Sequence, residues 1–120
     1  MELNMGMDGN IVVVDITGDL VASTAEQLKA QVQKLMEKNF VYVVLEMSKI
    51  NFMDSSGLGA CMAVHKTLTE KNGMLVCAKP SDPVAKVFRL TRADQKLRVV
   101  PTKQDGLNTL HAKSIEKEKK

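Results

Sequence analysis

Apolar and polar positions along the chain follow two different spacings. Near-continuous apolar runs rich in β-branched residues, typical of buried strands, occur at Asn10–Gly18 and Phe40–Met47. The segments after them carry apolar residues at helical spacing, as at Ala25, Leu28 and Val32. The whole pattern predicts the order β-β-α-β-α-β-α-β-α. We therefore expect an α/β fold with a single, mostly parallel sheet, to which a hairpin at "MDGN" adds an antiparallel edge strand.

Two sequence signals mark where the helices begin. Ser23 followed by Glu26 fits a capping box, and Thr24 with Gln27 offers the alternative register. Pro83 suits the first turn of the helix predicted after the third parallel strand.

Length and charge predict one domain with a separate tail. With 120 residues we expect a single domain over residues 1–112 and a frayed, lysine-rich tail over 113–120. The last ten residues hold four lysines and two glutamates, which is +2 of the net charge of +3. The body has neither a basic stripe nor many aromatic residues, so we expect no nucleic-acid binding.

The chain shows no targeting segment and no metal-binding spacing. Its N-terminus lacks the basic and apolar regions of a signal peptide, and no apolar run approaches the ~18 residues of a membrane span. Cys61 and Cys77 are in no metal or CxxC spacing and are predicted to be buried free thiols. We expect a cytoplasmic protein with no metal site, no cofactor and no membrane insertion.

The stretch "NFMDSSGLGA", Asn51–Ala60, carries the candidate chemistry. A nucleophile elbow needs Gly two residues before the serine, and neither Ser55 nor Ser56 has one. His65 lies nine residues beyond Ser56, about 13 Å along a helix axis, too far to act as its base. The P-loop pattern is also absent. We therefore expect no enzymatic activity.

Two interpretations of the stretch remain from local chemistry. Asp54 or Ser55 could cap the following helix while the glycines ease packing. Alternatively, a serine could be presented for phosphorylation beyond the carboxyl end of a parallel strand, where glycines at 57 and 59 let another protein approach. The residues by themselves leave both interpretations open.

A family resemblance adds to this picture. "VVLEMSKINFMDSSGLGACM" resembles the signature segment of the STAS domain, and most closely that of bacterial anti-sigma factor antagonists. The resemblance extends through "ITGDLVASTAEQLKAQV" and "SDPVAKVFRLT", so it covers roughly residues 10 to 100. It implies a STAS fold for the predicted sheet and helices.

The resemblance also implies a mechanism. In that family the unphosphorylated protein binds an anti-sigma factor serine kinase and thereby frees a sigma factor. The kinase phosphorylates the residue equivalent to Ser56, and a PP2C-type phosphatase reverses this. The implied partner-binding loop comprises Asp19, Asp54, Ser55, Gly57, Leu58 and Gly59. We expect a monomer or weak dimer. The alternative function is a STAS scaffold, or an accessory subunit of a signalling assembly or membrane transport complex.

The chain departs from the family pattern at three places. Val21 stands where the family commonly has an aspartate near the phosphorylated serine. Ser48 stands where an acid is usual, with Glu46 two residues earlier. Arg92 and Ala93 replace a common Gly-Leu pair, which removes a favourable helix-ending glycine.

Overall fold

The computed structural model describes residues 1–118. Its order of elements is the predicted one, with a short 3-10 helix added before the last strand. The elements are β1 (Glu2–Asp8), β2 (Ile11–Leu20), α1 (Ala22–Glu37), β3 (Tyr42–Met53), α2 (Ser55–Glu70), β4 (Met74–Ala78), α3 (Asp82–Thr91), the 3-10 helix (Ala93–Gln95), β5 (Arg98–Val100) and α4 (Lys103–Glu118).

The strands form one five-stranded sheet in sequence order. β1 pairs with β2 antiparallel, and the other three pairings are parallel. Right-handed crossovers that always step to the next strand in the same direction place their helices on the same face of a sheet. α1, α2 and α3 accordingly cover one face, and α4 covers the other. The α/β architecture predicted from the sequence is confirmed.

Each face of the sheet has its own apolar cluster. The larger cluster lies beneath α1, α2 and α3, and it includes Leu28, Val64 and Phe88 from these helices. The smaller cluster joins α4, through Leu107 and Leu110, to the opposite face of the strands. Burial on both faces explains why β2, β3 and β4 are near-continuously apolar.

β3 extends beyond its predicted end. The apolar run ends at Met47, but the strand continues to Met53, which pairs with Leu20 at the end of β2. Register shifts interrupt this part of the β2–β3 ladder. Beyond Met47 the strand buries Ile50 and Met53 but exposes Lys49 and Asn51, so the continuous apolar signal disappears. β2 and β3 therefore project beyond the last pairing with β4, at Glu46.

The start of α1 differs from both predicted capping boxes. Val21 is the N-cap residue, so Ser23 and Thr24 lie inside the first turn. The Thr24 Oγ1 hydroxyl accepts a hydrogen bond from the Val21 N–H at 3.0 Å and donates one to the Asp19 carbonyl at 2.7 Å. Thr24 thus ties the helix start back to the end of β2.

α4 continues past the predicted domain boundary at residue 112. Ser114 is buried, and its hydroxyl accepts a hydrogen bond from Asn10 Nδ2 at 3.0 Å. His111 Nε2 lies 3.6 Å from Asp8 Oδ1, in the strand before the same hairpin turn. Residues 113–118, predicted to be a frayed tail, therefore continue a helix that is anchored to the β1–β2 turn. Residues 119 and 120 of that tail lie outside the described residues.

Cys61 and Cys77 are buried free thiols, as predicted. Arg92 ends α3 in the left-handed conformation, with φ of 59°, at the position where the family glycine is missing. Within residues 1–118, no helix combines the length and apolar character needed to cross a membrane.

Candidate functional site

The candidate site lies at the start of α2, beyond the carboxyl end of β3. Asp54 is the N-cap residue, and its Oδ1 accepts a hydrogen bond from the Gly57 N–H at 2.9 Å. This interaction satisfies one of the backbone donors that the first turn of a helix leaves unpaired. Of the two capping candidates in the sequence, Asp54 is the one that caps.

Asp54 also connects α2 with α1. Its second carboxylate oxygen, Oδ2, lies 3.4 Å from the backbone nitrogen of Ala22, the first residue of α1. Its own N–H donates to the Leu20 carbonyl at 3.4 Å. Val21, at the N-cap of α1, has no side-chain acceptor, and the carboxylate of Asp54 reaches the first backbone donor of that helix.

The two serines are exposed in the first turn of α2. Ser55 and Ser56 follow the cap directly. Within residues 1–118, neither side-chain hydroxyl forms a hydrogen bond with another protein group. Because Asp54 provides the cap, both hydroxyls are available to another molecule. An anion on either serine would also lie near the positive end of the helix dipole.

The two glycines of the motif have different surroundings. A Cβ atom on Gly57 would lie only 2.0 Å from the carbonyl oxygen of Leu20, so α2 can approach β2 only because this side chain is missing. Gly57 is buried and shapes the loop from inside, rather than admitting a partner as we expected from the sequence. A Cβ on Gly59 would meet nothing within 4 Å. Only Gly59 therefore leaves an open approach at the surface.

The projecting ends of β2 and β3 border the site. Asp19 is exposed and pairs in register with Phe52, which is 55% exposed. Leu58 is partly buried and packs against the larger apolar cluster. Phe52 was not among the predicted site residues. It precedes the buried Met53, whose side chain points to the opposite side of the strand. The structure thus adds an exposed aromatic ring beside the predicted loop.

The site has acidic character before any modification. Asp19 and Asp54 both belong to it, and neither forms an ion pair in the described part of the chain. A phosphate on Ser56 would add about −1.5 to −2 charges beside these carboxylates. A change in charge of this size at an exposed surface would alter the affinity of any protein that binds there.

A groove of about 890 Å³ opens elsewhere on the molecule. It is lined by residues of the 3-10 helix, β5 and the start of α4, together with His65 and Met74. The Nδ1 atom of His65 is buried without a hydrogen-bond partner among the described residues. None of the predicted site residues lines this groove. The candidate site lies outside this groove, and its Asp19, Ser55 and Ser56 are exposed, which suits protein docking better than the enclosure of a small molecule.

The sequence matches a known family over most of its length. Residues 2–106 match the STAS domain, so the chain belongs to the STAS domain family. The anti-sigma F factor antagonist of Paenibacillus polymyxa is 23% identical over 111 residues, which cover 92% of each chain. The putative anti-sigma factor antagonist BtrV of Bordetella bronchiseptica is 28% identical over 91 residues, or 76% of this chain and 78% of that one.

Solved structures share the fold. A putative anti-sigma factor antagonist from Thermotoga maritima superposes with a TM-score of 0.85 at 19% identity, covering 91% of this chain and 94% of that one. The anti-sigma factor antagonist SpoIIAA in its unphosphorylated form gives 0.71 at 21% identity, with 92% and 98% covered. The phosphorylated form of Bacillus SpoIIAA gives 0.70 at 21% identity, with 90% and 98% covered.

The fold also occurs in a different functional setting. A sulfate transporter family protein from Wolinella succinogenes superposes with a TM-score of 0.78 at 16% identity, with 91% of each chain covered. Fold similarity is therefore compatible both with an anti-sigma factor antagonist and with an accessory subunit of a transport complex. The residues of the site have to distinguish these two functions.

Proposed function

We propose that this protein is an anti-sigma factor antagonist controlled by phosphorylation of Ser56. The observation that carries the proposal is the division of roles at the start of α2. Asp54 caps the helix, while the exposed hydroxyl of Ser56 has no partner within residues 1–118. The curated relatives support the same function through their names.

In the proposed cycle the chain is a substrate and binding partner and has no catalytic role. An anti-sigma factor serine kinase binds the unphosphorylated loop and releases its sigma factor. Ser56 Oγ then attacks the γ-phosphorus of ATP held by the kinase. The bond from that phosphorus to the β,γ-bridging oxygen breaks, ADP leaves, and the hydroxyl proton passes to a base of the kinase. A PP2C-type phosphatase hydrolyses the ester and restores the hydroxyl.

The phosphate would act on docking rather than on folding. Ser56 is in the first turn of α2, where the helix dipole favours negative charge. The docking surface, by contrast, already carries Asp19 and Asp54, and a bound partner would have to accept further negative charge. The proposed partners are cytoplasmic proteins, and the proposal places this chain in the cytoplasm with them.

Phosphate mapping tests the proposal directly. Purified wild type, Ser55→Ala and Ser56→Ala are incubated with ATP and an extract of the native cells, and the peptide spanning Asn51–Lys66 is analysed by mass spectrometry. We expect phosphate on wild type and Ser55→Ala and none on Ser56→Ala. Phosphate on Ser55 would move the assignment by one residue, and an unmodified wild type would overturn it.

A binding measurement completes the test. Wild type, Ser56→Ala and Ser56→Asp are used to capture proteins from the same extract, and captured kinase and sigma factor are identified. Ser56→Ala should retain an anti-sigma kinase, and Ser56→Asp should lose it. Capture of transporter subunits by all three proteins would instead support the alternative function as an accessory subunit of a membrane transport complex. A sulfate transporter family protein shares the fold, so this alternative has to be tested.

A further inference from the structure

The two edges of the sheet are protected to different degrees. β5 is only three residues long and is followed directly by Pro101. β1 is seven residues long, pairs with β2 at every position without a bulge, and contains no Lys, Arg or Pro. Short length, proline, lysine and bulges are the usual devices that prevent a sheet edge from pairing with another strand. β1 lacks all four.

The hairpin geometry determines which residues of β1 have unpaired backbone groups. A two-residue turn, Gly9 and Asn10, closes on the pair Asp8–Ile11, whose residues exchange hydrogen bonds in a turn of this length. Hydrogen-bonded positions alternate along an antiparallel pair. The even-numbered residues of β1 therefore bond to β2. Leu3, Met5 and Met7 direct their N–H and C=O groups away from the sheet.

Gly6 lies in the middle of this edge without a structural requirement for glycine. Its φ is not positive, no bulge occurs there, and a Cβ atom would meet nothing within 4 Å. A glycine inside a strand costs stability, and its common causes are a bulge, a sharp bend or the close approach of another backbone. Of these three causes, close approach of another backbone fits the surroundings of Gly6.

One face of β1 carries apolar side chains that are partly exposed. Met5 and Met7 are 46% and 54% exposed, and they project on the same side as Leu3, which packs against the larger cluster. Flexible, polarisable methionine side chains suit an interface in which two surfaces adjust to each other.

We infer that two copies of this chain associate by antiparallel pairing of their β1 strands about a two-fold axis at Gly6. The pairing joins two five-stranded sheets into one of ten strands. It places Gly6 opposite Gly6 of the second copy, and Met5 opposite Met7 of that copy. Met5 and Met7 are the residues whose backbone groups are free, so the central hydrogen bonds form between them.

Charge selects this register over its neighbour. With the axis at Gly6, the side-chain amide of Asn4 faces the carboxylate of Asp8 in the second copy. Within one copy this amide donates one N–H to Glu2, and its second N–H can donate to that carboxylate. Moving the axis by one residue, to Met5, would place Glu2 opposite Asp8, and like charges directly opposite destabilise a sheet. A two-fold interface repeats each such contact twice. Of these two registers, the one with the axis at Gly6 is therefore favoured.

Sedimentation velocity of the full chain, from micromolar to millimolar concentration, tests the association. Wild type should move from monomer to dimer over this range. Met7→Pro should stay monomeric with an unchanged circular dichroism spectrum, because its N–H is not used within the monomer and proline is tolerated at such edge positions. Leu90→Lys, at the 71% exposed side chain on α3, is the matched surface control and should dimerise as wild type does.

Disulfide cross-linking tests the register. Gly6→Cys should form a covalent dimer under mild oxidation, since directly opposite residues are within disulfide reach. Asn4→Cys, which would face Asp8, should cross-link at least tenfold more slowly. Wild type is the background control, because Cys61 and Cys77 are buried. A wild type that stays monomeric, a Met7→Pro that dimerises normally, or equal cross-linking of the two cysteine variants would overturn the inference.

Discussion

The carboxylate of Asp54 contacts two helices, since Oδ1 accepts from Gly57 within α2 and Oδ2 lies 3.4 Å from the backbone nitrogen of Ala22 in α1. Two helix starts on adjacent crossovers thereby share one capping group. The exposed serines that follow are held at a fixed position relative to the end of β2.

The shared cap predicts the cost of removing it. Asp54→Ala should lower the free energy of unfolding by about 1–2 kcal/mol, because two backbone donors lose their acceptor. Asp54→Asn should cost less, since asparagine also caps helices well. Urea denaturation measures both. Asp19→Ala, at an exposed carboxylate outside any ion pair within residues 1–118, is the control and should change stability by less than about 0.5 kcal/mol. Equal losses for Asp54→Ala and Asp19→Ala would contradict the capping role.

The two glycines of the motif should respond in opposite directions to alanine. Gly57→Ala should destabilise by about 2–4 kcal/mol, because the new Cβ would lie against the Leu20 carbonyl and force the backbone apart. Gly59→Ala should stabilise by about 0.5–1 kcal/mol, since alanine favours a helix interior and meets nothing there. Thermal unfolding distinguishes them. A shift of the melting temperature in the same direction in both variants would show that the contact with the Leu20 carbonyl does not determine the effect of alanine at position 57.

The left-handed residue at the end of α3 predicts a stabilising substitution. Arg92→Gly should raise the free energy of unfolding by about 0.5–1 kcal/mol, because glycine adopts a φ of 59° without the clash of a Cβ, although it also gives the unfolded chain more freedom. Arg92→Ala keeps the Cβ and is the control. If alanine stabilises as much as glycine, the gain comes from losing the guanidinium group and not from backbone strain.

Burial of the thiols predicts a loss of stability in alkali. Burial raises the pKa of Cys61 from 9.0 to about 12. In the unfolded chain the thiol ionises above about pH 9, but in the folded chain it stays protonated until near pH 12. The stabilising contribution of the buried Cys61 thiol to the free energy of unfolding is therefore complete below pH 9, and it is lost as the pH rises towards 12.

The alkaline effect is measured by comparing variants. Between pH 9.5 and 10.5 the slope of unfolding free energy against pH should be shallower in Cys61→Ala than in wild type by up to about 1.4 kcal/mol per pH unit. Both proteins keep Cys77, whose pKa is also raised by burial, and the same lysines. Identical slopes would mean that the Cys61 thiol ionises in the folded state as readily as in the unfolded chain.

Much of the fold was predictable because strong local patterns agreed with the tertiary structure. The apolar runs of β2 and β3 and the helical spacing of α1 each specify one kind of element. The end of β3 was not predictable in this way, because residues after Met47 are held in the strand by pairing with β2, and their own pattern is mixed. The continuation of α4 similarly depends on a hydrogen bond between Ser114 and Asn10, which are distant in sequence.

The site was predictable as a segment but not in its division of roles. Gly57 and Gly59 are the same residue type two positions apart, and only the position of the Leu20 carbonyl separates them. Asp54 and Ser55 were equal capping candidates until the geometry assigned the cap to Asp54. Phe52 carried no motif, and its exposure follows from the extension of β3.

The covering of one sheet face by α4 alone has a consequence for biosynthesis. The larger cluster is complete once the ribosome has released the chain through Leu97, the last residue that it contains. The other face of the sheet, with Ile11, Val13 and Val44, is shielded only when Leu107 and Leu110 have also emerged. Until those two residues have emerged, this face of the sheet exposes apolar side chains, and exposed apolar surface favours aggregation during folding.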